Sequence, residues 1–485
     1  MVAGLYEAAR DHAPVLALSG DMARKFQGTD YIQTTKPDLL FRDVALYTET
    51  LFTPAQAPGI FHQAISAALA GRGVSHLTLP QDVLSAKAEG ELTSVATLRA
   101  RQPFAASVEQ VAEIAQRIDK AGSVVIMCGN GCHGTADELR ALSDRLKAPL
   151  IHSVKGKDIM AYDDPALDGW HRHDRHQAGL RGGDGLRPAA DGRDRLSLFR
   201  VPADQGDGDP DRRAHRGAGP PRATVLGVAG SAKPTLKLLL EQLKAKDDTR
   251  FFDGVTRARR KWDEMLDKQA DLARSADTIH PQALARTVSD LAARDAVFVF
   301  DTGLNTLWSA NWIRQSGSQR IIGSFNNAAV GTAMGQANGV QALDRSRQVI
   351  ALCGDGGFNM LMCEFMTAVH HKLPVKVVVY NNSALGLITL EAEQVGIPAF
   401  HEAIEFPNPD FAALARACGG QGFTARKPSE LKAAIAGALA VEGPAIVDVV
   451  IPADELPNLP HVELEVIGRF AKAKVKEAVL ALTGG

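Results

Sequence analysis

The chain has 485 residues, 45% of them hydrophobic and 23% charged, with a formal net charge of −2. That length holds roughly three domains of ordinary size, and the near-neutral balance gives no support to nucleic-acid binding. No signal-peptide pattern opens the chain and no apolar run is long enough to span a bilayer, so a cytoplasmic location is expected.

In chain order, Pro14-Val15-Leu16-Ala17-Leu18 and His76-Leu77-Thr78-Leu79 read as strands on either side of a helix around residues 55–70. Residues 89–106 read as a linker. A helix over 107–120, a strand over 123–127, the turn Gly129-Asn130-Gly131-Cys132 and a short strand at 148–152 then open a second domain, with Pro149 where a missing N–H is tolerated. Gly129 and Gly131 suit close backbone approach to a flavin nucleotide, although a glycine turn alone is a weak signal. Cys128 and Cys132 lack the second pair that a metal site needs. With Cys353, Cys363 and Cys418 they read as free or buried thiols in a reducing compartment.

Between about 169 and 223 the sequence changes character: Arg, Asp, Gly, His and Pro crowd it, and apolar periodicity is lost. A disordered insertion is one reading, but a loop of that length inside a compact domain is uncommon. A reading-frame shift in a GC-rich gene is the sharper one. Codons for 169–178, read one nucleotide later, permit Gly-Ile-Gly-Met-Ile-Gly-Thr-Lys-Pro. Those for 201–212 permit Phe-Leu-Pro-Thr-Lys-Gly-Thr-Val-Ile-Gln-Ile-Asp, which contains a clean strand. A strand–helix domain deprived of central strands leaves apolar faces uncovered, so Leu226 and the run 236–243 are expected to be exposed. Aggregation or proteolysis is expected within 165–225.

A third domain runs from near Ile279 to near Pro452. Inside it, Gln348-Val349-Ile350-Ala351-Leu352-Cys353 reads as a buried parallel strand, residues 358–373 as a helix closed by Pro374, and Val375-Lys376-Val377-Val378-Val379-Tyr380 as a second strand. Met362, Phe365, Met366 and Val369 supply that helix's apolar positions. Gly354-Asp355-Gly356-Gly357 and Asn381-Asn382-Ser383 thus fall at the carboxyl ends of parallel strands, where open α/β sheets hold ligands. Asp355, the Asn382 side-chain oxygen and a backbone carbonyl make half an octahedral shell for Mg²⁺, completed by phosphate oxygens and water. The glycines let the backbone approach phosphates, and the following helix points its N-terminus at them. An ordinary strand-to-helix turn with an Asx cap would also produce Gly-Asp-Gly; the downstream strand and Asn pair favour the diphosphate. The tail, 461–485, has a helical pattern in which Val466, Phe470, Leu480 and Leu482 mix with Arg469, Lys472, Lys474 and Lys476. A membrane-surface helix and a solvated capping helix are both open. Poor separation of apolar from basic residues favours the cap.

These stretches resemble the thiamine diphosphate enzymes over nearly the whole chain, and within them the pyruvate oxidases of the quinone-reducing type. The resemblance is carried by Gly323-Ser324-Phe325-Asn326-Asn327, by Cys353 through Met362, by Lys372-Leu373-Pro374-Val375-Lys376, by Asn381 through Gly386 and by Gly443 through Val449. Tyr31-Ile32-Gln33, Leu40-Phe41-Arg42 and Gly73 through Val83 add to it. It implies an α/β architecture of three doubly wound parallel-sheet domains: a pyrimidine-binding domain over 1–95, a central FAD-type domain over 105–245, a diphosphate and Mg²⁺ domain over 275–455, and a tail over 456–485. Within these, the first is expected to be partial and the second disrupted. The family's first domain begins upstream of residues matching Met1 and carries a glutamate on the aminopyrimidine ring. No glutamate here sits in a matching context, so the chain is expected to be N-terminally truncated.

The implied activity is oxidative decarboxylation of pyruvate to acetate and CO₂, with electrons passed through FAD to a membrane quinone. Acetolactate synthase-like carboligation and an inactive product of a damaged gene are the alternatives. By match, Asp355, Asn382 and the Ala384 carbonyl hold Mg²⁺. Gly303, Gly354, Gly356 and Gly357 line the diphosphate, with Ser324, Phe325, Leu385 and Gly386 beside the cofactor. Val330 matches the apolar residue that props the cofactor into its bent form, and Gln33 a polar residue near the reacting centre, although a surface glutamine in a loop reads the same way. Gly129 and Gly131 match the FAD side, yet most adenine-side contacts would come from 169–223, so FAD is expected to bind poorly or not at all. A homodimer or homotetramer, with peripheral membrane contact, completes the implied picture.

Overall fold

The computed structural model describes residues 1–87, 104–167 and 226–455, with positions 94, 199–200, 457, 470 and 472–476. Most of the linker, the segment 169–223 apart from 199–200, and most of the tail lie outside the described residues.

Three sheets carry the chain, with helices on their faces, as an α/β architecture requires. In the first, β1 (Val15–Asp21), β2 (Ala45–Thr50) and β3 (Val74–Pro80) run parallel in the order β1-β3-β2. Central β3 is buried at every position, and its His76 is satisfied by Thr48 and Ser19 on the two neighbouring strands at 2.9 and 3.0 Å. In the second, β4 (Val125–Cys128) pairs in parallel with β5 (Leu150–His152) and antiparallel with the short β6 (Phe199–Arg200).

The third sheet is larger. Strands β7 (Val297–Phe300), β8 (Arg320–Gly323), β9 (Val349–Gly354), β10 (Lys376–Asn381), β11 (Gln421–Ala425) and β12 (Ala445–Val450) form a six-stranded parallel sheet in the order β11-β12-β10-β9-β7-β8. The period-2 rule divides its side chains cleanly. Phe298, Phe300, Ile350, Leu352, Val378 and Tyr380 join a core with Leu304, Leu307 and Trp308. Val297, Val299, Ala351, Cys353, Val377 and Val379 join an opposite core with Phe358, Phe365 and Ala368. The helix after β7 therefore covers one face and the helices after β9 the other. The winding reverses between β7 and β9, which opens a crevice at their carboxyl ends.

Two expectations need correction. Residues 358–373 are not one helix: Asp355–Leu361 and Glu364–His370 are separate, joined by a tightened turn in which Phe365 N–H bonds Met362 O and Met366 N–H bonds Cys363 O. The apolar spacing misleads because Met362 and Met366 are exposed; Phe358, Phe365 and Ala368 form the buried stripe. Nor is the run 236–243 uncovered. Leu236, Leu239 and Leu243 are buried in the second core, and Leu226 packs partly against it. The helix Ala232–Gln242 docks on helices Val108–Lys120 and Ala136–Leu146, so helix–helix contact replaces the strands expected there. All five cysteines are free, with Cys128, Cys132 and Cys353 buried.

The three units meet at specific polar contacts. Asp11 of the first accepts from Lys155 of the second at 2.7 Å and from Asn326 of the third at 2.8 Å. Asp158 of the second, nearly fully buried, takes His133 at 2.7 Å, Arg320 Nε at 2.8 Å and the Ile321 N–H at 2.9 Å. Burial opposes the charge of Asp158, but these donors outweigh it and hold its carboxyl below the usual range.

Candidate active site

Asp355 follows β9 directly and is 1% exposed. Its Oδ2 accepts from the Ser383 N–H at 2.5 Å and from Asn408 Nδ2 at 2.7 Å, while Oδ1 accepts from the Gly356 N–H at 2.8 Å. Burial pushes this carboxyl up, and the same hydrogen bonds pull against it. Ser383 adopts φ 54°, a left-handed conformation uncommon outside glycine.

Asn382 completes the cluster. One terminal atom of its amide lies 2.9 Å from the Ala384 carbonyl oxygen and 3.2 Å from Asp355 Oδ1. With the amide nitrogen at that position, Asn382 donates to both neighbours and satisfies them; with the oxygen there, it would stand beside two acceptors, as a cation ligand would. Octahedral Mg²⁺ ligands at about 2.1 Å would lie about 3 Å apart, so the spacing also fits a divalent cation. Among the described residues no group of three His, Cys, Asp or Glu side chains forms another candidate metal centre.

Glycine is structurally required around this cluster. Gly303, at φ 156° and ψ −168°, caps the helix Leu304–Trp312 in a backbone region open to glycine alone. A Cβ on Gly357 would stand 2.1 Å from Asp301 Oδ2, one on Gly356 2.5 Å from Leu385 Cδ2, and one on Gly386 2.7 Å from Leu304 Cδ1. The last contact shows that helices Leu304–Trp312 and Gly386–Gln394 bring their N-termini together. Two positive helix-dipole ends are therefore set side by side, which suits a diphosphate.

Of the residues expected from sequence, Asp355, Asn382, Ala384, Gly303, Gly354, Gly356, Gly357, Leu385 and Gly386 come together. Val330 sits beside them, its Cγ1 3.4 Å from the position of a Gly357 Cβ, and is 42% exposed. Ser324 is turned toward the first unit, where its hydroxyl donates to Glu7 at 2.5 Å and accepts from the Ala329 N–H. Phe325 packs edge-on to Phe300 in the core. Gln33 lies in an exposed loop at φ 63°, with no hydrogen bond to the cluster among the described residues. Gly129 and Gly131 lie in the second unit, after β4.

Several residues at the site were missed. Asp301, at the end of β7, is 1% exposed and accepts from the Thr302 and Gly331 N–H groups through Oδ1, while Oδ2 has no partner. Burial drives its carboxyl up to about 6. Asn305 donates to the Asp301 and Leu352 carbonyls, and its unpartnered Oδ1 faces Gly303 and Gly354. Asp301 was open to the strand-end argument that found Asp355. Asn408 lies in a loop whose sequence carries no such signal.

Comparison with known proteins decides the family. Residues 301–449 match the C-terminal TPP binding domain of thiamine pyrophosphate enzymes, and 111–179 match the central domain of the same enzymes. A putative thiamine pyrophosphate-containing protein of Bacillus subtilis, YdaP, is 30% identical over 472 residues, covering 94% of this chain and 79% of the relative. The chain belongs to the thiamine pyrophosphate enzymes. Thiamine pyrophosphate and thiamine diphosphate are the same compound. Pyruvate oxidase of Lactiplantibacillus plantarum is 28% identical, over 93% of this chain and 76% of its own length. A chloroplastic acetolactate synthase of Oryza sativa is 23% identical, over 95% and 74%. The cluster built above thus lies in the family's cofactor-binding domain, and its oxygen donors and glycine turns fit a metal-bound diphosphate.

Proposed function

We propose that this thiamine pyrophosphate enzyme uses Mg²⁺ to decarboxylate pyruvate oxidatively to acetate and CO₂. The observation that carries the reading is the placement of buried Asp355, the Asn382 amide and the Ala384 carbonyl within about 3 Å steps of one another, at the switch point of a sheet matched to the family's cofactor domain; with its amide oxygen inward, Asn382 would complete a set of three oxygen donors. When bound, the cofactor supplies the electron sink that decarboxylation of a 2-keto acid requires. The chain's own residues bind and orient it: the triad holds the cation, the two helix N-termini take the diphosphate, and Val330 offers an apolar ledge above Gly357.

Oxidation is favoured over carboligation by the Leu373-Pro374-Val375 context and by the higher identity to pyruvate oxidase than to acetolactate synthase. A membrane quinone as acceptor and a homodimer or homotetramer belong to the same proposal. The exposed apolar side chains of Met360, Met366, Ile388 and Phe400 in this unit support the oligomer. No helix among the described residues is long and apolar enough to cross a membrane.

The central-domain match ends at residue 179, inside the anomalous segment. Because most adenine-side contacts would come from 169–223, we infer that the chain as written retains little flavin, and that resequencing the codons for 169–223 will reveal a shifted frame.

The test is incubation with pyruvate, thiamine pyrophosphate, Mg²⁺ and ferricyanide. Acetate formed with ferricyanide reduction supports the oxidase. Acetolactate without reduction sinks it in favour of carboligation, and cofactor binding without any product supports a damaged enzyme. Stoichiometric flavin absorbance in the purified protein would overturn the flavin inference.

A further inference from the structure

Resting on the Mg²⁺ reading above, the geometry points to Asn408 as a positioning residue that sets which cation the site prefers. A carboxylate oxygen offers two lone pairs. On Asp355 Oδ2 both are taken, by the Ser383 N–H at 2.5 Å and by Asn408 Nδ2 at 2.7 Å. On Oδ1 one is taken by the Gly356 N–H, and Oδ1 also lies 3.2 Å from an Asn382 amide atom that itself reaches the Ala384 carbonyl. The carboxylate can therefore give a cation one oxygen only.

The Asn408 amide is itself fixed in direction. Its Oδ1 accepts from Asn359 Nδ2 at 2.7 Å, so its NH₂ must face Asp355 and Asn381 Oδ1, the latter at 2.9 Å. Asn381 is fixed in turn, because its Nδ2 donates to buried Asp448 at 2.8 Å. A relay of amides thus runs from β12 through β10 to the metal turn, and Asn359 ties it to the helix that Asp355 begins.

One-oxygen ligation suits Mg²⁺, which demands a near-ideal octahedron, and disfavours Ca²⁺, which accepts six to eight oxygens and often a bidentate carboxylate. Removing the Asn408 donor frees Oδ2 to turn toward the cation. Mg²⁺ loses an oriented ligand, and Ca²⁺ gains a second oxygen that offsets the same loss.

The experiment is calorimetric titration of the full chain, saturated with thiamine pyrophosphate, with Mg²⁺ and separately with Ca²⁺. Asn408→Ala is expected to weaken Mg²⁺ by about 10-fold to 100-fold, the usual range for a lost outer partner, and to leave Ca²⁺ within about threefold, so the Mg²⁺/Ca²⁺ preference falls at least about threefold. Asn359→Ala, which only unfixes the amide, shifts the ratio the same way by less and serves if Asn408→Ala does not fold. Equal weakening of both cations means a merely structural role and overturns the proposal, as does no change in either. The underlying reading fails separately: wild-type protein that binds neither cation, or Asp355→Ala that binds both normally, removes the metal site itself.

Discussion

The second and third units each carry an apolar strand running into a glycine turn, yet among the described residues only the third surrounds that turn with packed side chains. In the third, six parallel strands are covered on both faces, and the turns at Gly303 and Gly354–Gly357 are pressed by Asn305, Asp301, Leu385 and Leu304. In the second, three strands include one antiparallel edge, and its core is completed by three helices packed on one another. Its glycine turn meets almost nothing among the described residues. A strand–turn–helix motif becomes a binding site when neighbouring strands bring opposing side chains to its end.

The second unit therefore depends on the third more than the reverse, and Asp158 is the sharpest place to test that. Asp158→Ala leaves the Ile321 N–H unpaired and removes the carboxylate from His133 and from Arg320, whose side chain is 46% exposed and stays hydrated. The expected loss is roughly 3 kcal/mol, the low end of the range for breaking a buried ion pair, read by denaturant unfolding. The pH dependence has a definite sign. Burial lowers His133, but Asp158 outweighs it and the net shift is upward. A raised histidine stabilises below its unfolded pKa of 6.5, and the effect disappears as pH rises through the folded value. Asp158, held low, stabilises above its unfolded pKa of 3.8 and loses that effect as pH falls through the folded value. Unchanged stability in Asp158→Ala would mean that the second unit stands alone.

Within the third unit the expected effect is of similar size and of opposite sign. Asp301 moves from 3.8 to about 6 because burial disfavours its charge. Between those values the folded state binds more protons than the unfolded one, so stability falls as pH rises, by roughly 3 kcal/mol across the window. Asp301→Asn keeps an oxygen for the Gly331 N–H and removes the titration. Unfolding of the Mg²⁺-free protein from pH 4 to 7 should show a flatter curve for the variant; parallel curves would refute the assignment.

The same contrast explains what the sequence made legible. The strands at 348–353 and 375–380 and the residues at their ends could be found because β-branched runs and Gly-Asp-Gly are local signals. Asn408 and Glu7 could not, since their roles exist only after distant segments meet; Asn408 and Asp355 are brought together by the sheet, not by any motif. The helix 232–242 was misjudged for a related reason. Its leucines mark an apolar face, but the sequence does not say whether a strand or another helix will cover it. At 361–364 periodicity failed because two methionines at core spacing point outward.

The smallest effect compares the two turns directly. A Cβ at Gly357 would stand 2.1 Å from the Asp301 carboxylate, whose Oδ1 is held by two backbone N–H groups and cannot retreat freely. Gly357→Ala must displace Asp301 or the Gly354–Gly357 turn, an overpacking penalty of about 1–3 kcal/mol, and should lower affinity for thiamine pyrophosphate along with stability. Gly131→Ala adds the same methyl with nothing within 4 Å and φ outside the glycine-only region, so it should leave both within about 0.5 kcal/mol of wild type. The pair is informative because the chemistry of the substitution is identical and only the surroundings differ. Should Gly131→Ala prove as damaging as Gly357→Ala, the second turn must be packed by something beyond the described residues, and a bound nucleotide there would again deserve a search.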